Sequence, residues 1–337
     1  MYALKNGNTM FDIPLNQPPS GKRKIGLALS SGMARGWAHI GALRALKRLG
    51  FEFDVIAGCS VGALVGGCYL AGKLDDLQDW ALSLNKRKIV SYLDMRLRSG
   101  GLIGGTKLVD EMRRYMGNAQ IESFPVPYAA MTTDLVTGHE IWLQKGDLVE
   151  AMRASFSLPG IFPPVHYEGR WLADGALVCP LPVAACRALG ADMVIAINLN
   201  ADMIGKSRRP GASIPTAAGF DLLNMLEDTD NHEKLSLMDN LTRRVFRREY
   251  DGPSIFGVMT SCLNIMQDRI TRARLAGDPP DVHIAPRLGH MGLLEFDRAE
   301  ESIKEGEAAV MRKRPELADA LQVLAQTHQG VGENEPI

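Results

Sequence analysis

Short, wholly apolar runs alternate with segments of helical period through the first part of the chain. "KIGLALS" is a compact apolar run bounded by glycine-rich turn signals, the mark of a buried strand. "WAHIGALRALKRLG", Trp37 to Gly50, then carries apolar residues at helical spacing with Gly50 just past its end. "FEFDVIAG" predicts a second buried strand, and Ser60 to Ala71 a second helix. Strand, helix, strand and helix in direct succession make a βαβα opening, which implies an α/β sheet with parallel neighbours.

Farther on, "VPYAAMTTDLVTGHEIWLQKG" predicts a hairpin turning at Thr137-Gly138, "DLVEAMRASFSLPG" a helix stopped by Pro159-Gly160, and "VHYEGRWLADGAL" a second hairpin. A helix from Leu181 to Leu189 and a strongly apolar strand from Asp192 to Leu199 follow. The long pattern in "PSIFGVMTSCLNIMQDRITRARLAG" predicts a helix, "PDVHIAPRL" a short strand, and "FDRAEESIKEGEAAVMR" an amphipathic helix started by Asp297. Glu316 to Gln326 adds one more helix. Residues 1–23 read as a polar tail, 24–312 as one domain with 201–250 as a linker or insertion, and 313–337 as a C-terminal helix and tail.

Composition narrows the function classes. The 337 residues are 46% hydrophobic and 23% charged, the balance of an ordinary soluble globular chain, and no apolar run reaches the ~18 residues that span a bilayer. Thirty-eight basic against thirty-nine acidic residues leave a net charge of −1, so there is no basic field to hold nucleic acid. Five scattered cysteines, Cys59, Cys68, Cys179, Cys186 and Cys262, form no C-x-x-C pair and suit a reducing compartment. The first residues lack the apolar core of a signal peptide, and the expectation is a cytoplasmic protein.

The chemistry centres on "VIAGCSVGAL", where Ser60 stands between Gly58 and Gly62 at the junction of a strand and a helix. Two readings are open: a nucleophile lifted off the sheet by a sharp G-x-S-x-G turn, or a tight turn whose hydroxyl only satisfies backbone. A serine nucleophile also needs oxyanion donors and a base. "LALSSGMARGWAH", at the end of the first strand, offers the backbone amides of Gly32 and Met33. It has no G-x-G-x-x-G, and Glu52 and Asp54 lie at the start of the second strand, which argues against a nicotinamide cofactor. No histidine sits in a motif beside Ser60; His283 or His290 would be required as base in a Ser-Asp-His order. Asp174, directly before a glycine in "WLADGALVCP", is the better base, the alternative being an ordinary Asp-Gly turn.

Three separated pieces resemble the patatin-like phospholipases: "GMARGWAHIGAL" their glycine-rich oxyanion segment, "GCSVG" their nucleophile elbow, and "DGA" at Asp174 their aspartate motif. "ASFSLPGIFPPV", Ala154 to Val165, agrees with the same family, and the C-terminal third resembles the bacterial branch related to the catalytic domain of neuropathy target esterase. The resemblance spans roughly residues 24–312. It implies a three-layer α/β/α sandwich with a mainly parallel central sheet and a Ser-Asp dyad, Ser60 as nucleophile and Asp174 as base, acting on carboxylic esters of phospholipids, lysophospholipids or related lipids. Neither metal nor cofactor is required for that cycle. One departure stands out: where the family usually runs three or four glycines, this chain has Ser30, Ser31, Gly32 and Met33, so a positive φ at position 33 would strain methionine. Arg35 and Gly36 keep the family's places, with Arg35 expected to brace the loop or to meet a phosphate. A fold-retaining adaptor or lipid-binding protein that has lost the chemistry is the rival reading.

Peripheral membrane contact is one reading of "NKRKIVSYLDMRLRSGGLIGG", which interleaves Lys86, Arg87, Lys88, Arg96 and Arg98 with apolar residues, and of the cluster Arg243, Arg244, Arg247 and Arg248, which would otherwise bind a partner. The alternative is a solvated helix packed on the body.

Overall fold

The structure is a computed structural model that describes residues 23–92, 105–202, 255–292 and 294–326. Nearly all of the polar tail, most of the linker or insertion, and the four arginines from 243 to 248 lie outside the described residues.

Eight strands form one sheet: β1 (Ile25–Leu29), β2 (Val55–Cys59), β3 (Tyr128–Asp134), β4 (Glu140–Leu143), β5 (Val165–Tyr167), β6 (Arg170–Asp174), β7 (Met193–Ile197) and β8 (Val282–Ile284). Their order is β5-β6-β3-β2-β1-β7-β8, with β4 paired to β3. β3, β2, β1, β7 and β8 run parallel, while β4, β5 and β6 add an antiparallel flank. Every residue of β1, β2, β3 and β7 is buried, as expected of strands covered on both faces. The helices, in chain order, are α1 (Ala38–Arg48), α2 (Val61–Leu70), α3 (Leu74–Leu82), α4 (Lys86–Tyr92), α5 (Thr106–Met116), α6 (Leu148–Ser155), α7 (Val183–Ala188), α8 (Ile255–Gly277), α9 (Ala299–Arg312) and α10 (Arg314–Gln326).

Strand alternation decides how the helices distribute. Leu27, Leu29, Ile56, Ala130, Ile195 and Ile197 join one apolar core with α1, α2, α6 and α9. Ala28, Ala57, Cys59, Ala129, Met131 and Ala196 face the other way, toward α7 and the turn after β6. The second face carries smaller residues, which suits a thinner covering layer. The result is the three-layer α/β/α sandwich with a mainly parallel sheet. Leu317, Leu321 and Leu324 carry α10 into the same core as the body.

Both predicted hairpins form, the second turning at Glu168-Gly169 with positive φ at each residue. The helix expected to run to Pro159 ends at Ser155, and the residues after it make irregular turns against the site. Pattern reading passed over α3 and α5. Of the stretch with interleaved cations, Lys86 and Arg87 are exposed and Lys88 is half-buried, but Ile89 is buried in the core, so this part presents cations without that apolar partner; residues 93–104 lie outside the described residues. Among the described residues no helix is long and apolar enough to cross a membrane.

Candidate active site

Parallel strands bring their C-terminal ends together on one edge of the sheet, and the loops that leave that edge build the site. β2 ends at Cys59 and α2 starts at Val61, leaving Ser60 alone to turn the chain, with φ 56° and ψ −122°. A non-glycine residue held there carries about 1–3 kcal/mol of backbone strain, which persists only where the surroundings impose it. They do. A Cβ on Gly62 would collide with the carbonyl groups of Leu29 and Ser30, and one on Gly58 would strike the backbone of Gly62 and Ala63. The two glycines of the G-x-S-x-G pattern are thus points of close backbone approach.

Register brings Asp174 to this turn. Cys59 pairs with Met131 across β2 and β3, and Thr132, the next residue, pairs with Asp174 across β3 and β6. Ser60 Oγ lies 2.6 Å from Asp174 Oδ2, across 114 positions of sequence. The other carboxylate oxygen accepts from the Ala176 N–H at 2.8 Å, and Cys59 Sγ lies 3.9 Å from it. Both side chains are closed from bulk solvent, Ser60 at 2% and Asp174 at 1% exposure. Burial pushes the Asp174 carboxyl up to about 7, against the opposing pull of the hydrogen bonds from Ser60, Ala176 and Cys59.

Sequence reading passed over the residues that align this pair. Ser155, the last residue of α6, accepts from the Ser60 N–H at 2.9 Å and donates to the Met131 carbonyl at 2.6 Å. Two residues on, the Ser157 carbonyl accepts from the Asp174 N–H at 2.9 Å, and Thr133 Oγ1 donates to the Asp174 carbonyl at 2.9 Å. One short segment therefore holds both members of the pair through their backbones. The "ASFS" of the sequence was the available signal, yet the partners of its hydroxyl are distant main-chain atoms.

The loop after β1 supplies the remaining parts. Met33 has φ 51°, the left-handed conformation in which a methionine is strained by about 1–2 kcal/mol. Among the described residues the N–H groups of Gly32 and Met33 have no acceptor. Gly36 packs against the Val61 side chain with no room for a Cβ, setting this loop against the start of α2. Arg35 is fully buried, its Nε donating to the Gly32 carbonyl at 3.2 Å and its own carbonyl accepting from Ser302 Oγ at 3.0 Å. Burial lowers its guanidinium to about 10. His39 holds the Ser30 carbonyl at 2.8 Å through Nε2, and burial lowers it to about 4, so it is a neutral donor.

The two serines that replace glycine are put to use. Ser30 Oγ accepts from the Leu199 N–H at 2.9 Å and donates to the Ser31 carbonyl, while Ser31 Oγ donates to Gln267 Oε1 and accepts from Asn200 Nδ2, both at 3.1 Å. The loop is stitched to the end of β7 and to α8. Neither histidine of the alternative order reaches Ser60. His290 is bonded to Glu301 at 2.6 Å, and His283 sits on β8, three strands from β2, about 14 Å at ordinary strand spacing.

A family model described as patatin-like phospholipase matches residues 27–186, which include the loop, Ser60, Ser155 and Asp174. An uncharacterised NTE family protein of Mycobacterium tuberculosis is 35% identical over 326 residues, 86% of this chain and 91% of that protein. Lysophospholipase NTE1 of Pyricularia oryzae is 27% identical over 313 residues, 90% of this chain but 19% of that much longer protein. Among solved structures, VipD from Legionella pneumophila aligns with a TM-score of 0.44 at 13% identity, over 95% of this chain and 72% of that one.

Proposed function

The chain belongs to the patatin-like phospholipase family, among its NTE family members, and from that premise we propose that it is a serine acyl hydrolase working through a Ser60-Asp174 dyad. The observation that carries this reading is the 2.6 Å contact between a serine on a strained, glycine-flanked elbow and a fully buried carboxylate.

Asp174 takes the Ser60 proton as Oγ attacks the ester carbonyl, and the oxyanion is met by the N–H groups of Gly32 and Met33. Asp174 then hands its proton to the leaving alcohol and activates a water against the acyl-enzyme. Only the ionised carboxylate can start that cycle. With its pKa at about 7, kcat/KM falls as pH drops through neutrality. The substrates proposed are phospholipid and lysophospholipid esters, the first supported by the description of the family model and the second by the name of the P. oryzae relative.

A fluorophosphonate probe tests the assignment. The parent chain labels and hydrolyses a p-nitrophenyl acyl ester, while Ser60→Ala does neither. A folded parent that takes no label and turns over no ester favours the adaptor reading instead.

A further inference from the structure

α8 is amphipathic in the wrong sense. A surface helix ordinarily turns its apolar stripe to the core and its polar face to water. Here the side facing the protein carries Asn264, Gln267, Asp268 and Thr271, all buried. The side facing solvent carries Val258, Met259, Ile265 and Met266, which are 41%, 39%, 49% and 49% exposed, with the exposed Cys262 between them. Spacings of three and four residues place these five side chains in one stripe. Arg269, also exposed, continues the same face toward the C-terminal end, as does Arg272, whose Nε is paired with both carboxylate oxygens of Asp268 at 2.9 Å.

We propose that the outer face of α8 docks on a phospholipid surface, its apolar stripe entering the acyl boundary and Arg269 meeting headgroup phosphates. The proposal rests on the lipid hydrolase reading above. Apolar residues followed by cations on one helical face are what an anionic bilayer surface takes up. A second copy of the chain is a poorer occupant, because five half-exposed side chains offer only a fraction of the roughly 800 Å² per partner of a stable interface. The position fits a lipid substrate as well. On the inner side of the same turns, Leu263 packs with Met33, Leu158 and Ile161, and Gln267 accepts from Ser31, so lipid held by the outer face lies beside the loop that serves Ser60.

Cys262 makes the test direct, because the other four cysteines are buried. In the full-length Ser60→Ala protein, a polarity-sensitive fluorophore on Cys262 should shift to the blue on mixed phosphatidylcholine–phosphatidylglycerol vesicles, and the protein should co-sediment with them. Ile265→Asp and Met266→Asp each lower the vesicle partition coefficient by about tenfold or more; Leu82→Asp, at an equally exposed apolar site on α3, leaves it unchanged. The proposal is overturned by an unshifted fluorophore, by aspartate variants that bind as the parent does, or by Ile265→Asp splitting a dimer without altering vesicle binding. Failure of the hydrolase reading looks different: vesicle binding would persist in a parent chain that turns over no soluble ester and takes no fluorophosphonate.

Discussion

Asp174→Asn should make the protein more stable while destroying its activity, and the gain should depend on pH. The amide keeps both contacts, its oxygen accepting from the Ala176 N–H and its NH2 donating to Ser60 Oγ, so the change isolates the charge. The folded carboxyl titrates at about 7, against 3.8 for the free group. From about pH 4 upward the unfolded chain releases this proton and the folded chain does not, so stability contributed by the protonated form is lost as pH rises through 7. At ~1.36 kcal/mol per unit, the burden of the native carboxylate is about 4 kcal/mol at pH 8 and about 2 kcal/mol at pH 5. Urea unfolding of parent and variant across that range is the assay. The variant's advantage should shrink by about 2–3 kcal/mol between pH 8 and pH 5, while ester turnover falls by about a hundredfold or more throughout. An advantage that is absent, or that does not change with pH, refutes the claim that Asp174 is held in a desolvated site.

Other substitutions probe the alignment of the pair. Ser155→Ala leaves the Ser60 N–H buried without an acceptor and frees the strained elbow to relax. Urea denaturation should register a loss of about 1–3 kcal/mol, and kcat should fall by about a hundredfold for a displacement near 1 Å. Because the Ser60 hydroxyl lowers the Asp174 pKa, its withdrawal should also move the acidic limb of kcat/KM upward, and Ser155→Thr should restore both; a stability loss with unmoved kcat and pH profile would make Ser155 merely structural. Gly62→Ala drives a methyl group into the Leu29 and Ser30 carbonyls, costing about 1–3 kcal/mol and fluorophosphonate labelling together; normal labelling would show that the close approach is dispensable.

Local pattern made much of this protein legible. Wholly apolar runs next to helical-period segments determined a parallel sheet covered on both faces, and the G-C-S-V-G run at the junction of β2 and α2 marked the elbow. Those signals survive in one dimension because strand burial and helix facing are periodic along the chain. α3 and α5 escaped because they are peripheral; α3 buries Leu77 and Ala81 and α5 only Met112, too few positions to establish a period.

Proximity across the chain decided the rest. Asp174 stood out in the sequence through the glycine that follows it and through its resemblance to a family motif; what sets it against Ser60 is the register of β6 on β3 and β3 on β2. The Ser30-Ser31 departure looked like damage to a glycine loop, yet their hydroxyls find Leu199, Asn200 and Gln267 up to 236 positions away. α8 carries a helical pattern that cannot say which face is inward, and the fold turns its polar side in. Hydrogen-bond partners and desolvation depend on what lies within a few ångströms in space. Residues that meet across long stretches of chain leave no periodic trace of that meeting in the order of amino acids.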